Sequence, residues 1–186
     1  MISINEVQDE VIAEFNDFDD WMDRYQLLID LGNEQEPLDE KYKTEQNLIE
    51  GCQSRVWLQA DEVDGKIIFQ AESDALIVKG IISLLIKVLS GHTPDEILNA
   101  DLYFIDKIGL KEHLSPTRSN GLLSMVKQMR MYALASKRKK GSKASDKHNK
   151  ETVDLEVLYL YCFYYIMLAS SSLHIPNKPL LHILSK

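Results

Sequence analysis

Along the first 135 positions the apolar residues recur with a helical period, then with a strand period, then with a helical one again. Ser3 and Glu6 form a capping box ahead of Val7, Val11, Ile12 and Phe15, which predicts a first helix. Asp19 is placed to cap a second, in which Trp21, Met22, Tyr25, Leu28 and Ile29 follow helical spacing and Gly32 is expected to end it. That aromatic stripe reads as packing, since no phosphate-binding loop accompanies it. From Gln53 to Ala60 the period shortens to two, with Ser54, Val56, Leu58 and Ala60 on one face and Gln53, Arg55, Trp57 and Gln59 on the other. Asp64-Gly65 is a hairpin signal, and Lys66 to Glu72, rich in Ile67, Ile68 and Phe69, supplies the returning strand. A further strand near Asn47 is left open.

Ser73 then caps an expected helix from Asp74 to about Ser90, stopped by Gly91 and apolar nearly all round, as a helix buried against a sheet must be. Lys79 and Lys87 make it a poor membrane span. Thr93-Pro94-Asp95-Glu96 starts a short helix, another is expected from Asp101 to Ile108, and Ser115-Pro116 opens a last one with Leu122, Leu123, Val126, Met129 and Leu134 on its apolar side. The fold class that follows is α+β, with helices packed on one face of a small antiparallel sheet.

A chain of 186 residues, 45% of them hydrophobic, can bury a core without disulfide staples. Cys52 and Cys162 are too few for a disulfide framework, and the first residues show no basic segment leading into an apolar run, so a reduced, cytoplasmic setting is expected. The formal charge of -8 is unevenly spread: residues 137–150 carry +6 and 151–186 carry -1, leaving -13 for residues 1–136. So acidic a body repels a nucleic-acid backbone, which argues against nucleic acid as a partner.

Chemistry concentrates at Gly51-Cys52-Gln53-Ser54-Arg55, where the only cysteine of the well-patterned region precedes a strand. No CxxC or HExxH spacing supplies companions for a metal or cluster site, so no metal or bound cofactor is expected. Cys52 reads either as a small buried hydrophobe or as a nucleophile whose value depends on its thiolate fraction. Gly51 frees the backbone beside it and Arg55 adds positive charge three positions on. A cysteine hydrolase would pair Cys52 with His92 or His113, neither of which has a recognisable local signature.

The stretch Lys43-Thr44-Glu45-Gln46-Asn47-Leu48-Ile49-Glu50-Gly51-Cys52-Gln53-Ser54-Arg55-Val56-Trp57-Leu58 closely resembles the signature of the SufE/CsdE family of sulfur acceptors in iron–sulfur cluster assembly. Ser73 to Gly80 and His113 to Gly121 match further motifs in the right order, and Trp21 to Gly32 resembles the family's early helix. The resemblance spans about residues 5 to 135. It implies a fold similar to that of the IscU scaffold. It also implies that Cys52 accepts persulfide sulfur from a pyridoxal-phosphate-dependent cysteine desulfurase (SufS/CsdA-like), stimulating it, and passes sulfur to a cluster scaffold complex (SufBCD-like). The chain would then be a carrier and activator rather than an enzyme. Gly51, Gln53, Ser54, Arg55, Asp74 and Arg118 are the residues expected to position the loop or bind the partner. A cation at Arg118 opposes the helix dipole by a few tenths to ~1 kcal/mol, so only the resemblance lifts it above a solvated surface residue. A cluster scaffold is the other rival, and it lacks ligands.

Past Ala135 the pattern breaks. Residues 1–136 are expected to form the acceptor domain and residues 137–152, beginning Lys137-Arg138-Lys139-Lys140, a basic linker; residues 153–186 form an apolar extension. Its uncharged run from Val157 to Leu173 falls short of the ~20 residues a span needs, so a membrane anchor does not lead over an added helix or an extension without a role.

Overall fold

The computed structural model describes residues 2–145, with side chains to residue 139. Helix α1 (Ile4–Asn16) starts on the expected capping box: Ser3 N–H donates to Glu6 Oε2 at 2.7 Å and Glu6 N–H to Ser3 Oγ at 3.2 Å. It buries Ile4, Val11 and Phe15. Helix α2 (Trp21–Glu34) is capped by Asp20, whose Oδ1 accepts from Met22 N–H at 2.9 Å, one residue later than Asp19.

Gly32 does not end α2. The helix runs on to Glu34, and Gly32 is buried where α2 crosses α3 (Leu76–Leu89): a Cβ on Gly32 would stand 3.0 Å from Gly80 N, and one on Gly80 only 2.1 Å from the Leu28 carbonyl oxygen. Two glycines facing each other let the backbones touch, a signal that a glycine near a helix end hides. Met22 is 70% exposed, although helical spacing groups it with the core positions Tyr25 and Leu28.

Strands β1 (Val56–Val63) and β2 (Lys66–Ser73) pair antiparallel from Val56 opposite Ser73 to Val63 opposite Lys66. The turn between them has positive φ at both Asp64 (51°) and Gly65 (80°), the geometry that suits the right-handed twist of a hairpin. Val56, Leu58, Ile67, Phe69 and Ala71 are buried. Near Asn47 there is no third strand. Ile49 N–H donates to Val56 O at 2.8 Å in a bridge made by Leu48 and Trp57, preceded by two single turns, Glu40–Tyr42 and Glu45–Asn47.

Helix α3 packs against β2, α2 and α1 and buries Val78, Ile81, Ile82, Leu85, Val88 and Leu89, each worth roughly 1.5–3 kcal/mol when fully buried. It starts two residues later than expected and is not capped by Ser73: Ala75 takes the cap position with no side-chain bond, while Ser73 Oγ accepts from Ala75 N–H at 3.3 Å. Asp74 is thereby free of the helix. Helices α4 (Pro94–Asn99), α5 (Phe104–Lys107) and α6 (Leu110–His113) close the end of the core, α4 with its Thr93–Glu96 capping box and α5 breaking from α6 at Gly109, where φ is 70°. Helix α7 (Pro116–Ser145) buries Leu122, Met125, Met129 and Ala133. Leu123, expected on that face, points outward and is 56% exposed. The helix continues through the first part of the basic run, where nothing but Gly141 interrupts residues that accept helical geometry. Lys137 pairs with Asp95 at 2.8 Å. The run from Val157 to Leu173 lies outside the described residues.

Helices packed on a small two-stranded antiparallel sheet make the chain an α+β fold. Residues 1–144 form one compact unit.

Candidate functional site

The loop from Gly51 to Arg55 enters β1 at the end of the sheet away from the hairpin, and two neighbours hold it. On one side lies α7. Gly51 has φ 88°, and a Cβ there would meet Ser124 Oγ at 2.7 Å, so both backbone angle and space favour glycine. Cys52 is half-buried, and its Sγ donates a long hydrogen bond to the Gly121 carbonyl at 3.7 Å. Gly121 and Ser124 are three residues apart on one helix face, so a single face of α7 cradles the loop.

On the other side lies the junction of β2 and α3. Asp74 Oδ1 accepts from Arg55 N–H at 3.0 Å, and Asp74 N–H donates to the Arg55 carbonyl at 3.3 Å. The late start of α3 is what turns the Asp74 carboxylate toward the loop. Gln53 and Ser54 form the bend between these two anchor points, with Gln53 exposed and Ser54 half-buried. The Arg55 side chain is exposed, and none of the ion pairs among the described residues involves it.

Arg118 lies in the first turn of α7, exposed, with its N–H donating to Ser115 Oγ at 3.4 Å. It sits one turn before Gly121 on the same side of the helix, on the end nearest solvent. Burial pushes the Cys52 thiol above its ordinary value. At neutral pH the resting side chain is therefore a protonated thiol donating to Gly121, and only its thiolate attacks.

His92 and His113 are held in other contacts. His92 follows α3; its carbonyl accepts from Ile67 N–H at 2.9 Å, and Ile67 lies opposite Glu62 near the hairpin. That is about 20 Å along β1 from Val56, at ~3.3 Å per residue. His92 is buried, which pushes its imidazole down in pKa, and its Nδ1 has no hydrogen-bond partner. His113 stacks on Trp21 with ring centroids 3.8 Å apart, and its Nδ1 lies 3.0 Å from the Gly109 carbonyl. Neither histidine hydrogen-bonds Cys52. Among the described residues no group of three or more His, Cys, Asp or Glu is placed to hold a metal ion, and no helix is long and apolar enough to cross a membrane.

The family model described as the SufE Fe-S metabolism associated domain matches residues 9–133, which contain every element from α2 to the cradle on α7. The chain belongs to the SufE family. An uncharacterized SufE-like protein of Rhizobium meliloti is 39% identical over 130 residues, covering 67% of this chain and 93% of that one. One from Synechocystis is 39% identical over 126 residues, covering 68% and 79%. SufE-like protein 1, chloroplastic/mitochondrial, of Arabidopsis thaliana is 39% identical over 127 residues, 67% of this chain but 34% of its own length. The solution structure of a hypothetical protein from Thermus thermophilus shares the fold at a TM-score of 0.60 and 22% identity, covering 73% of this SufE chain and 98% of that one.

Sequence reading named Gly51, Cys52, Arg55 and Asp74, and these come together around one loop. It gave no role to Gly121 and none to Ser124. The spacing of three between them on a predicted helix was legible, but nothing in one sequence says which helix face meets a loop 70 residues earlier.

Proposed function

We propose that this chain is a sulfur acceptor and carrier in iron–sulfur cluster assembly, taking persulfide sulfur onto Cys52. Membership of a family in iron–sulfur metabolism supplies the general role. The observation that carries the finer reading is the loop itself: the lone thiol among the described residues, anchored at Gly51 by α7 and at Arg55 by Asp74, on an edge of the core rather than inside it.

The donor is the active-site persulfide of a pyridoxal-phosphate-dependent cysteine desulfurase. The Cys52 thiolate attacks the outer sulfur, a new S–S bond forms on Cys52, the S–S bond of the donor breaks, and the donor cysteine leaves as thiolate. Two electrons stay with the leaving sulfur, and no external oxidant or reductant enters. The sulfur then passes by the same exchange to a cluster scaffold. Removing the persulfide frees the desulfurase, so the protein stimulates it. Because burial holds the resting thiol protonated, docking of the donor must first loosen the cradle or bring a proton acceptor to Sγ. Arg118 and the Arg55 side chain, both exposed beside the loop, are the proposed partner contacts, with Gly51, Gln53, Ser54 and Asp74 setting the loop's shape. The acceptor domain is residues 1–136, and the reaction takes place in the cytoplasm. A hydrolase gains no support among the described residues, where neither His92 nor His113 hydrogen-bonds Sγ.

Sulfide release by a cysteine desulfurase, measured with cysteine and a reductant, tests this reading. The wild-type chain and Cys162→Ser should raise turnover alike, and Cys52→Ser should leave it at the desulfurase's own rate. Equal stimulation by Cys52→Ser would overturn the assignment.

A further inference from the structure

Each anchor point of the thiol loop has an exposed leucine beside it. Leu123 stands between Gly121 and Ser124 on α7, turned out of the core and 56% exposed. Leu76 follows Asp74 by two residues, at the start of α3, and is 62% exposed. Two residues of chain span at most about 7 Å, so each leucine lies that close to a residue that holds the loop. A single exposed leucine is ordinary on any surface, and position is what sets these two apart. Val63, exposed as well, stands at the hairpin instead, roughly 23 Å along β1 from Val56 at ~3.3 Å per residue.

Sulfur transfer forces contact at this place. Cys52 is half-buried, so a donor cysteine reaches Sγ only if the protein that carries it lies against the loop. An interface of ordinary size covers about 800 Å² on each partner, a disc of roughly 16 Å radius. Centred on the loop, such a disc takes in both anchor points and the leucines beside them. We infer that Leu76 and Leu123 are apolar anchors on which the cysteine desulfurase docks, one on each side of the thiol, and that the desulfurase meets them with an apolar surface edged by carboxylates for the exposed Arg55 and Arg118. The inference rests on Cys52 as the acceptor and adds what holds the donor over it. The leucines supply affinity, since docking removes their apolar surface from water. The arginines steer and orient the encounter more than they tighten it.

The test reads docking apart from chemistry, by calorimetric titration of a pyridoxal-phosphate-dependent cysteine desulfurase with the full chain and no cysteine present. Leu76→Gln and Leu123→Gln place a good helix former of similar length at an exposed position, so both variants should melt with the wild type. Each should raise the Kd about tenfold, because a buried leucine is replaced by an amide that the apolar surface does not satisfy. Leu123→Met keeps the apolar surface and should bind as the wild type does, and Val63→Thr at the hairpin should leave the Kd unchanged. An unchanged Kd in either glutamine variant would overturn the inference, as would an equal loss in Leu123→Met or Val63→Thr, or a wild-type chain that does not bind. A wild-type chain that binds and yet gains no sulfur on Cys52 when cysteine is added would strike the acceptor reading instead, with the docking result standing by itself.

Discussion

Arg55 and Asp74 hold each other through two hydrogen bonds, Arg55 N–H to Asp74 Oδ1 at 3.0 Å and Asp74 N–H to the Arg55 carbonyl at 3.3 Å. This clasp ties the end of the thiol loop to the joint between β2 and α3. Asp74→Ala removes the first bond and leaves an N–H that water can reach, so its cost in stability should be about 0.5–1.5 kcal/mol. The loop should loosen more than the fold does. Alkylation of Cys52 by iodoacetamide is expected to speed up several-fold, and an unchanged rate would show that the clasp does not restrain the thiol.

Arg118 offers the opposite case, a side chain with nothing to lose in the fold. Arg118→Ala should change stability by no more than about 0.5 kcal/mol, in the favourable direction if anything, since it takes a cation away from a helix N-terminus. Desulfurase stimulation should nevertheless fall. Normal stimulation by a normally folded variant would remove Arg118 from the docking surface.

The crossing of α2 and α3 depends on Gly80. A Cβ there meets the Leu28 carbonyl oxygen at 2.1 Å and its carbon at 2.6 Å, so one of the two helices must move. Gly80→Ala should cost about 1–3 kcal/mol by overpacking, visible as a lowered urea midpoint, while Gly32→Ala, whose nearest contact is 3.0 Å, should cost less. Equal midpoints for the wild type and Gly80→Ala would mean that the helices are not in contact.

These glycines show where sequence reading reached its end. The Ser3–Glu6 and Thr93–Glu96 boxes and the Asp64-Gly65 turn are local rules written in neighbouring residues, and all three stand as read. The α+β class followed from the periods alone. Gly32 looked like a helix stop because its partner, Gly80, lies 48 positions away and no local pattern joins them. Asp74 looked like the first residue of a helix, yet the chain stays extended through Ala75, and that late start leaves the carboxylate to bond Arg55 N–H. Leu123 fitted a helical stripe on α7, but the face that turns inward carries Leu122, Met125, Met129 and Ala133, and that choice is tertiary. Gly51 and Cys52 were legible by type and resemblance, while their seat on Gly121 and Ser124 was not.

His92 gives the fold an acid limit. Burial lowers its pKa below the ordinary 6.5, so the unfolded chain takes up a proton at a higher pH than the folded one. The stability from keeping it neutral is complete above pH 6.5 and is lost as pH falls from there through the folded pKa. In the upper part of that window Glu6, Asp39 and Glu96 remain ionised, held low by hydrogen bonds from Ser3, Lys41 and Thr93 respectively. Urea midpoints at pH 7.5 and 5.5 should therefore drop for the wild type and drop less for His92→Gln. A wild-type midpoint independent of pH over this range would show that His92 is hydrated or already paired.

Sulfur carried on Cys52 adds mass to the chain, and intact-protein mass spectrometry reads it directly. After incubation with a pyridoxal-phosphate-dependent cysteine desulfurase and cysteine, the wild-type chain should gain the mass of one sulfur, mapped by peptide analysis to Cys52, and Cys52→Ser should gain none there. A wild-type chain that remains unmodified while the desulfurase turns over, or one whose added sulfur maps to Cys162, would show that Cys52 is not the acceptor.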